Sequence, residues 1–146
     1  HFIASDGSKG KLLKIPAISV NNPIVSKEQP KSHIFMDGRE VLKFATEVIV
    51  DSIERVLKDS NLSLDDIKLI IPHQANIRII EFAAKKLKVS FEKFYINIQH
   101  YGNTSAASIP IALDEVYKKG LVQKGDKIIL VGFGGGLTWG AALLEV

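Results

Sequence analysis

A chain of 146 residues, 46% hydrophobic and 24% charged, has the length and balance of one globular domain with its own core. Its 19 basic and 16 acidic residues leave a net charge of only +3; that excess is too small and too dispersed to argue for nucleic acid, although a local basic face could still meet an acidic protein. With no cysteine the chain has no disulfide, thiolate metal site or Cys nucleophile of its own, no apolar run nears the roughly 20 residues of a membrane span, and no signal peptide is visible.

The chain starts at His1 without a Met, and His1-Phe2-Ile3-Ala4 reads like the end of a strand, so the expectation is a fragment or processed piece of a longer protein. Asp6-Gly7-Ser8-Lys9-Gly10 is a turn. Leu12-Leu13-Lys14-Ile15 is a short apolar run stopped by Pro16. Asn21-Asn22-Pro23 and Gln29-Pro30-Lys31-Ser32 are loop signals, so 21–34 reads as a surface excursion or part of a substrate entrance. Asp37-Gly38-Arg39-Glu40 has the spacing of a capping box. A helix over about Arg39 to Lys58 follows, with Val41, Leu42, Phe44, Ala45, Val48, Ile49, Ile53, Val56 and Leu57 on its apolar stripe. Asp51 with Arg55 and Glu54 with Lys58 are expected i, i+4 pairs on its solvated face.

Ser63-Leu64-Asp65-Asp66 predicts a single capped turn, and Ile67 to Ile71 a buried strand closed by Pro72. His73, Gln74 and Asn76 then lie at a strand-to-helix switch, where open α/β sheets bind ligands; a histidine that merely caps the helix or is satisfied within the fold is the plainer alternative. Asn76 is an expected N-cap for a helix to Leu87, with Ile77, Ile80, Ala84 and Leu87 as its stripe and Arg78, Lys85 and Lys86 on the other side. That basic side is either a solvated face or a docking patch for an acidic protein. Phe94-Tyr95-Ile96-Asn97-Ile98 is a β-prone run. Gly102 permits an unusual backbone angle, and Thr104 or Ser105 caps a helix that runs to about Lys119 and ends at Gly120. Asn103 therefore sits at a second strand-to-helix switch, as an Asx-turn or as a functional amide. Lys127 to Phe133 is a strand apolar on both faces; Gly134-Gly135-Gly136 and a last strand over 137–144 follow.

Strands and helices in this order predict a layered α/β domain. If the strands are parallel neighbours, the His73, Asn103 and Gly134–Gly136 loops meet at one sheet end. They offer an imidazole, a carboxamide and free backbone N–H groups, a donor set suited to a developing oxyanion. No acid–base pair or metal cluster is evident. Ser105 and Ser108 are nucleophile candidates but lack a G-x-S-x-G elbow, and the glycine run lacks the phosphate-binding fingerprints of nucleotide sites.

Three stretches are more specific: Pro72-His73-Gln74-Ala75-Asn76-Ile77-Arg78-Ile79, Tyr101-Gly102-Asn103-Thr104-Ser105-Ala106-Ala107-Ser108-Ile109-Pro110, and Gly132-Phe133-Gly134-Gly135-Gly136-Leu137-Thr138-Trp139-Gly140. They resemble the β-ketoacyl-acyl carrier protein synthase III family of thiolase-like condensing enzymes, and the resemblance runs through 1–146 as the C-terminal half of such an enzyme. It implies a thiolase-like layered fold, here one α/β half with a mixed, mainly parallel five-stranded sheet. It implies an acyltransferase that initiates type II fatty acid biosynthesis by condensing an acyl-CoA primer, acetyl-CoA, with malonyl-acyl carrier protein. By resemblance, His73 and Asn103 are catalytic and stabilise the enolate formed on decarboxylation. Gly135 supplies an oxyanion-hole N–H, and Phe133 helps expel the carboxylate. Arg78, Lys85 and Lys86 dock acyl carrier protein, and Asn76 and Arg39 lie near the pantetheine channel.

The same resemblance implies no cofactor and no metal, with the CoA thioester and malonyl-acyl carrier protein as substrates. It implies a homodimer in the cytoplasm, with no nucleic acid or membrane partner. The family's acyl-accepting Cys is absent here, so a missing N-terminal half must supply it and this chain alone is expected to be inactive. The alternatives are a related polyketide-priming or acyl-transferring condensing enzyme, or a non-catalytic carrier-protein-binding module.

Overall fold

The computed structural model describes residues 1–15 and 33–146; the expected surface excursion at 21–34 lies almost wholly outside them. Strands β1 (Phe2–Ser5), β4 (Leu69–Pro72), β5 (Lys127–Gly134) and β6 (Thr138–Glu145) form a mixed sheet in the order β1-β6-β5-β4. A two-residue pair, β2 (Leu13–Lys14) and β3 (Phe35–Met36), stands apart from it. The helices are α1 (Gly38–Asp59), α2 (Ile77–Leu87), α3 (Ile98–Tyr101) and α4 (Ser108–Lys118).

Alternation along the central strands explains the layers. Ile70 of β4 with Ile129 and Val131 of β5 packs into one core with Ile49, Ile53 and Val56 of α1 and Ile80, Ala83 and Ala84 of α2. The intervening Ile71 and Ile128 pack on the opposite face against Ala112 and Val116 of α4. Both strands are thus buried on both faces, as their unbroken apolar runs require. A third cluster, Phe44, Val48 and Leu137 with Phe133 and Trp139 against it, lies under the glycine loop. Phe44 meets Phe133 and Trp139 edge-on, with centroids 6.2 and 5.5 Å away.

Local signals set most boundaries. Asp37 accepts from the Glu40 N–H at 3.2 Å and starts α1. Ser63 and Asp66 close a capping box around a single 3₁₀ turn. Asn76 accepts from the Arg78 N–H at 3.0 Å and starts α2. Gly102 adopts φ 68°, a left-handed value that carries no Cβ penalty in glycine.

Four expectations change. Among the described residues the sheet has four strands rather than five, and of their pairings only β4–β5 is parallel, while β5–β6 and β1–β6 are antiparallel. Phe94 makes a lone parallel bridge to Ile70, after which the chain turns into α3 instead of continuing as a strand. The apolar face of α2 is rotated, with Ile79 and Ala83 buried and Ile77 exposed. On α1, Arg55 pairs with Asp59 at 3.6 Å, one turn later than expected, while its guanidinium covers the Phe2 ring at 5.2 Å.

Ile53 is fully buried where α1 meets the sheet. Ile53→Ala should cost about 2–5 kcal/mol, read as a lower urea midpoint, whereas Glu47→Ala on the exposed face of α1 should stay within about 0.5 kcal/mol.

Candidate active site

β4 and β5 run in parallel, so the segments after them leave the sheet at the same end. There they line a cleft of about 910 Å³, within the range of small-molecule sites. His73, Asn76, Asn103, Ser105 and Ser108 supply its polar groups, with Gly134 and Gly135 from the glycine loop. Ile79, Ile109, Val41, Leu42 and Met36 are among its apolar walls. Three separate loops of the chain therefore meet around one space.

His73 follows β4 directly, and its N–H continues the ladder by donating to the Val131 carbonyl at 2.8 Å. Its Nδ1 lies 2.6 Å from the Ser108 hydroxyl at the start of α4, which leaves Nε2 for the cleft. The Phe133 ring stands edge-on to the imidazole at 5.4 Å. Gly132 leaves room for this arrangement, since a Cβ there would lie 3.3 Å from Ile109 Cδ1 and 3.8 Å from His73 Cβ. Burial disfavours the imidazolium and pushes the pKa of His73 below its ordinary 6.5.

Asn103 forms an Asx-turn, with Oδ1 accepting from the Ser105 N–H at 3.0 Å. Ser105 is left-handed there, at φ 55°. Because Oδ1 is engaged by a donor, the Nδ2 amino group is the end of the carboxamide available to the cleft. The turn geometry and the donor function are thus compatible, each using one end of the same side chain.

Gly135 lines the cleft, and its N–H has no acceptor among the described residues. A Cβ at this position would lie 3.2 Å from the Leu13 carbonyl oxygen, a tight contact that would press on β2.

The remaining predicted residues divide. Asn76 lines the cleft, but Arg39 is exposed on the first turn of α1 and is not part of the lining, to which that helix contributes Gly38, Val41 and Leu42. Arg78, Lys85 and Lys86 are exposed on α2, as are Ile77 and Phe82. They form a basic face with apolar members beside the cleft rather than inside it.

Sequence reasoning assigned no role to two amides that hold the site. Gln74 is 1% exposed; its Nε2 donates to the carbonyls of Pro72 and Tyr95 at 2.9 and 3.1 Å, and its Oε1 accepts from the Asn97 N–H at 3.2 Å. Buried Asn97 reaches Glu115 of α4 through Nδ2 at 3.4 Å. Tyr101 and Tyr95 donate to the same carboxylate at 2.6 and 2.5 Å, and Lys119 adds a contact at 3.3 Å. Hydrogen bonds from Tyr101 and then Tyr95 hold the pKa of Glu115 down to about 2 against an opposing desolvation, with Lys119 and then Asn97 adding lesser contributions. The signal in the sequence was an amide placed directly after a buried strand, where backbone groups leave the ladder and need partners.

His73 should titrate below 6.5 in a histidine-detected ¹H–¹⁵N pH series. The unfolded chain then takes up this proton first. The group adds nothing to the pH dependence of stability above 6.5, and stability falls as pH drops from 6.5 toward the lower folded value.

Residues 57–146 match the family described as 3-Oxoacyl-[acyl-carrier-protein (ACP)] synthase III C terminal. The chain is 56% identical over 145 residues to beta-ketoacyl-[acyl-carrier-protein] synthase III of Clostridium kluyveri, and 58% identical over 146 residues to the enzyme of that name in Clostridium novyi. Each match takes in 99% of this chain and 45% of the relative, so the chain spans a little under half the length of the curated relatives it matches. Among solved structures, the Thermus thermophilus synthase III superposes with a TM-score of 0.89 at 39% identity, over 99% of this chain and 44% of that one. The Aquifex aeolicus 3-oxoacyl-[acyl-carrier-protein] synthase III gives 0.87 at 42%, over 99% and 43%. The chain has the thiolase-like α/β fold of these proteins and belongs to the 3-oxoacyl-[acyl-carrier-protein] synthase III C-terminal family.

Proposed function

We propose that this chain, residues 1–146, is the C-terminal half of a β-ketoacyl-acyl carrier protein synthase III and supplies the half of its active site that makes the carbon nucleophile. The observation that carries this reading is one cleft lined by His73, Asn103 and Gly135, on a chain of this family. The malonyl thioester oxygen accepts from the imidazole and from Asn103 Nδ2. Loss of CO₂ leaves its bonding pair on the adjacent carbon, and the resulting enolate oxygen is stabilised by the same two donors. The enolate carbon then attacks an acyl thioester carried on a cysteine from the other half of the protein. Gly135 N–H helps to hold the tetrahedral oxyanion, which collapses by expelling the thiolate. The products are the β-ketoacyl-carrier protein and CO₂. Phe133, packed edge-on against His73, presents an apolar surface that disfavours a carboxylate and favours its loss.

All of this chemistry comes from side chains and backbone, with the CoA thioester and malonyl-carrier protein as substrates, so the reading calls for no resident cofactor or metal. An acetyl-CoA primer, a homodimeric full-length enzyme and a cytoplasmic location belong to the same reading. Asn76 and the first turn of α1 at Arg39 stand at the mouth where a pantetheine arm enters. The exposed Arg78, Lys85 and Lys86 of α2 meet the acidic carrier protein, with Ile77 and Phe82 as apolar contacts.

In the full-length protein, His73→Ala and Asn103→Ala should each lower CO₂ release from malonyl-carrier protein by about 10²–10³-fold, the effect of removing one oxyanion donor. Acylation by acetyl-CoA should continue in both. Unchanged CO₂ release in His73→Ala would exclude the assignment. The double reversal Arg78→Glu, Lys85→Glu should raise KM for malonyl-carrier protein by about 10-fold or more while leaving turnover of malonyl-CoA near its starting value, with the difference shrinking at high salt.

A further inference from the structure

The hydroxyl of Ser108 has two polar neighbours among the described residues. The Gln74 backbone N–H lies 3.3 Å from Oγ, and His73 Nδ1 lies 2.6 Å from it. Ser108 is only 2% exposed, so water is not a general substitute for these partners. The backbone N–H can only donate, and it occupies a lone pair of Oγ. The single hydroxyl proton then has one acceptor within reach, the lone pair of Nδ1. The reverse arrangement, with Nδ1–H donating to Oγ, would direct two donors at the oxygen and leave the buried hydroxyl proton without an acceptor.

We propose that Ser108 is a positioning residue that locks neutral His73 in the tautomer with its proton on Nε2. This deepens the reading of His73 as a thioester-oxygen donor and rests on it, because only that tautomer turns an N–H toward the cleft. Burial supports the same picture by favouring the neutral ring, the one state in which the choice of tautomer matters. Among the described residues the imidazole thus becomes a directed donor with a hydroxyl, not a carboxylate, on its other nitrogen. A negative partner there would raise the imidazole pKa and place charge close to an enolate. Ser108 follows Asn103 by five residues, so both donors are set by one short stretch that leads into α4: Asn103 through its Asx-turn and His73 through the Ser108 hydroxyl.

The test is a long-range ¹H–¹⁵N spectrum of histidine-labelled full-length protein at pH 8, with His73 assigned by its loss in His73→Gln. Wild type should show a protonated Nε2 and an unprotonated Nδ1. Ser108→Ala should shift population to the Nδ1–H form and lower kcat for CO₂ release by about 10-fold or more, as expected where an imidazole is held in the wrong tautomer, with KM little changed. Ser108→Thr, which keeps the hydroxyl, should restore both signals. A wild-type Nδ1–H form, or a pure Nε2–H form retained in Ser108→Ala, overturns the proposal. If Ser108→Ala does not fold by circular dichroism, Ser108→Cys, a weaker donor of similar shape, is read in the same two ways. The spectrum needs no substrate, so it judges the tautomer separately from the reaction; unchanged CO₂ release in His73→Ala defeats the reaction reading alone.

Discussion

The buried carboxamide of Gln74 donates to the carbonyls of Pro72 and Tyr95 and accepts from the Asn97 N–H, and the relative position of the two donor loops depends on these three bonds. It ties the end of β4, which carries His73, to the segment that leads into the Asn103 loop. Among the described residues that segment makes one bridge to the sheet, with the Tyr95 N–H donating to the Ile70 carbonyl at 2.8 Å, so the ladder holds it at a single point. Side-chain bonds take over. Gln74 grips it from the β4 side, and Glu115 grips it from α4 through Asn97, Tyr95 and Tyr101. A satisfied buried amide is rigid because each of its bonds would be costly to lose in a dry site.

The site then follows from which ends of its polar groups are already engaged. Ser108 takes one nitrogen of His73, and Ser105 takes the oxygen of Asn103. In each case the scaffold occupies one end of the group and leaves the other for the cleft. Such donors need little reorganisation when charge develops in front of them, and this preorganisation is the main source of oxyanion stabilisation. The glycine loop contributes by closeness, since a Cβ on Gly135 would crowd the Leu13 carbonyl at 3.2 Å. The Phe44–Phe133–Trp139 cluster supports that loop from below.

Much of this was legible in the residues. The period of α1 and the unbroken apolar runs of β4 and β5 report packing that acts on every residue of an element, so these elements stood out. His73 stood out as a polar group just after a buried strand, and Asn103 as an amide after Gly102 at the end of an expected strand that the structure replaces with α3; the cleft brings both together with Gly135. Phe94–Ile98 was misleading because its β-prone side chains would suit a strand, while the deciding interactions come from Gln74 and Glu115, both distant in sequence. Ile77 was misleading because the pattern of α2 is apolar around much of its first turn, and only the sheet's position decides that Ile79 is inside. Ser108 looked like a possible nucleophile because sequence shows a hydroxyl but not its neighbours. Only the fold places it against an imidazole 35 positions away in the chain.

On the proposed reading, this chain serves the second half of a two-step condensation and a cysteine elsewhere in the protein serves the first. The most direct measurement is the intact mass of full-length wild type and of His73→Ala, taken after acetyl-CoA and again after malonyl-acyl carrier protein. The account predicts one acetyl adduct on both proteins, discharged by malonyl-acyl carrier protein in wild type and persistent in the variant. An adduct discharged equally by both, or the absence of any adduct on wild type with short acyl-CoA primers, would contradict it.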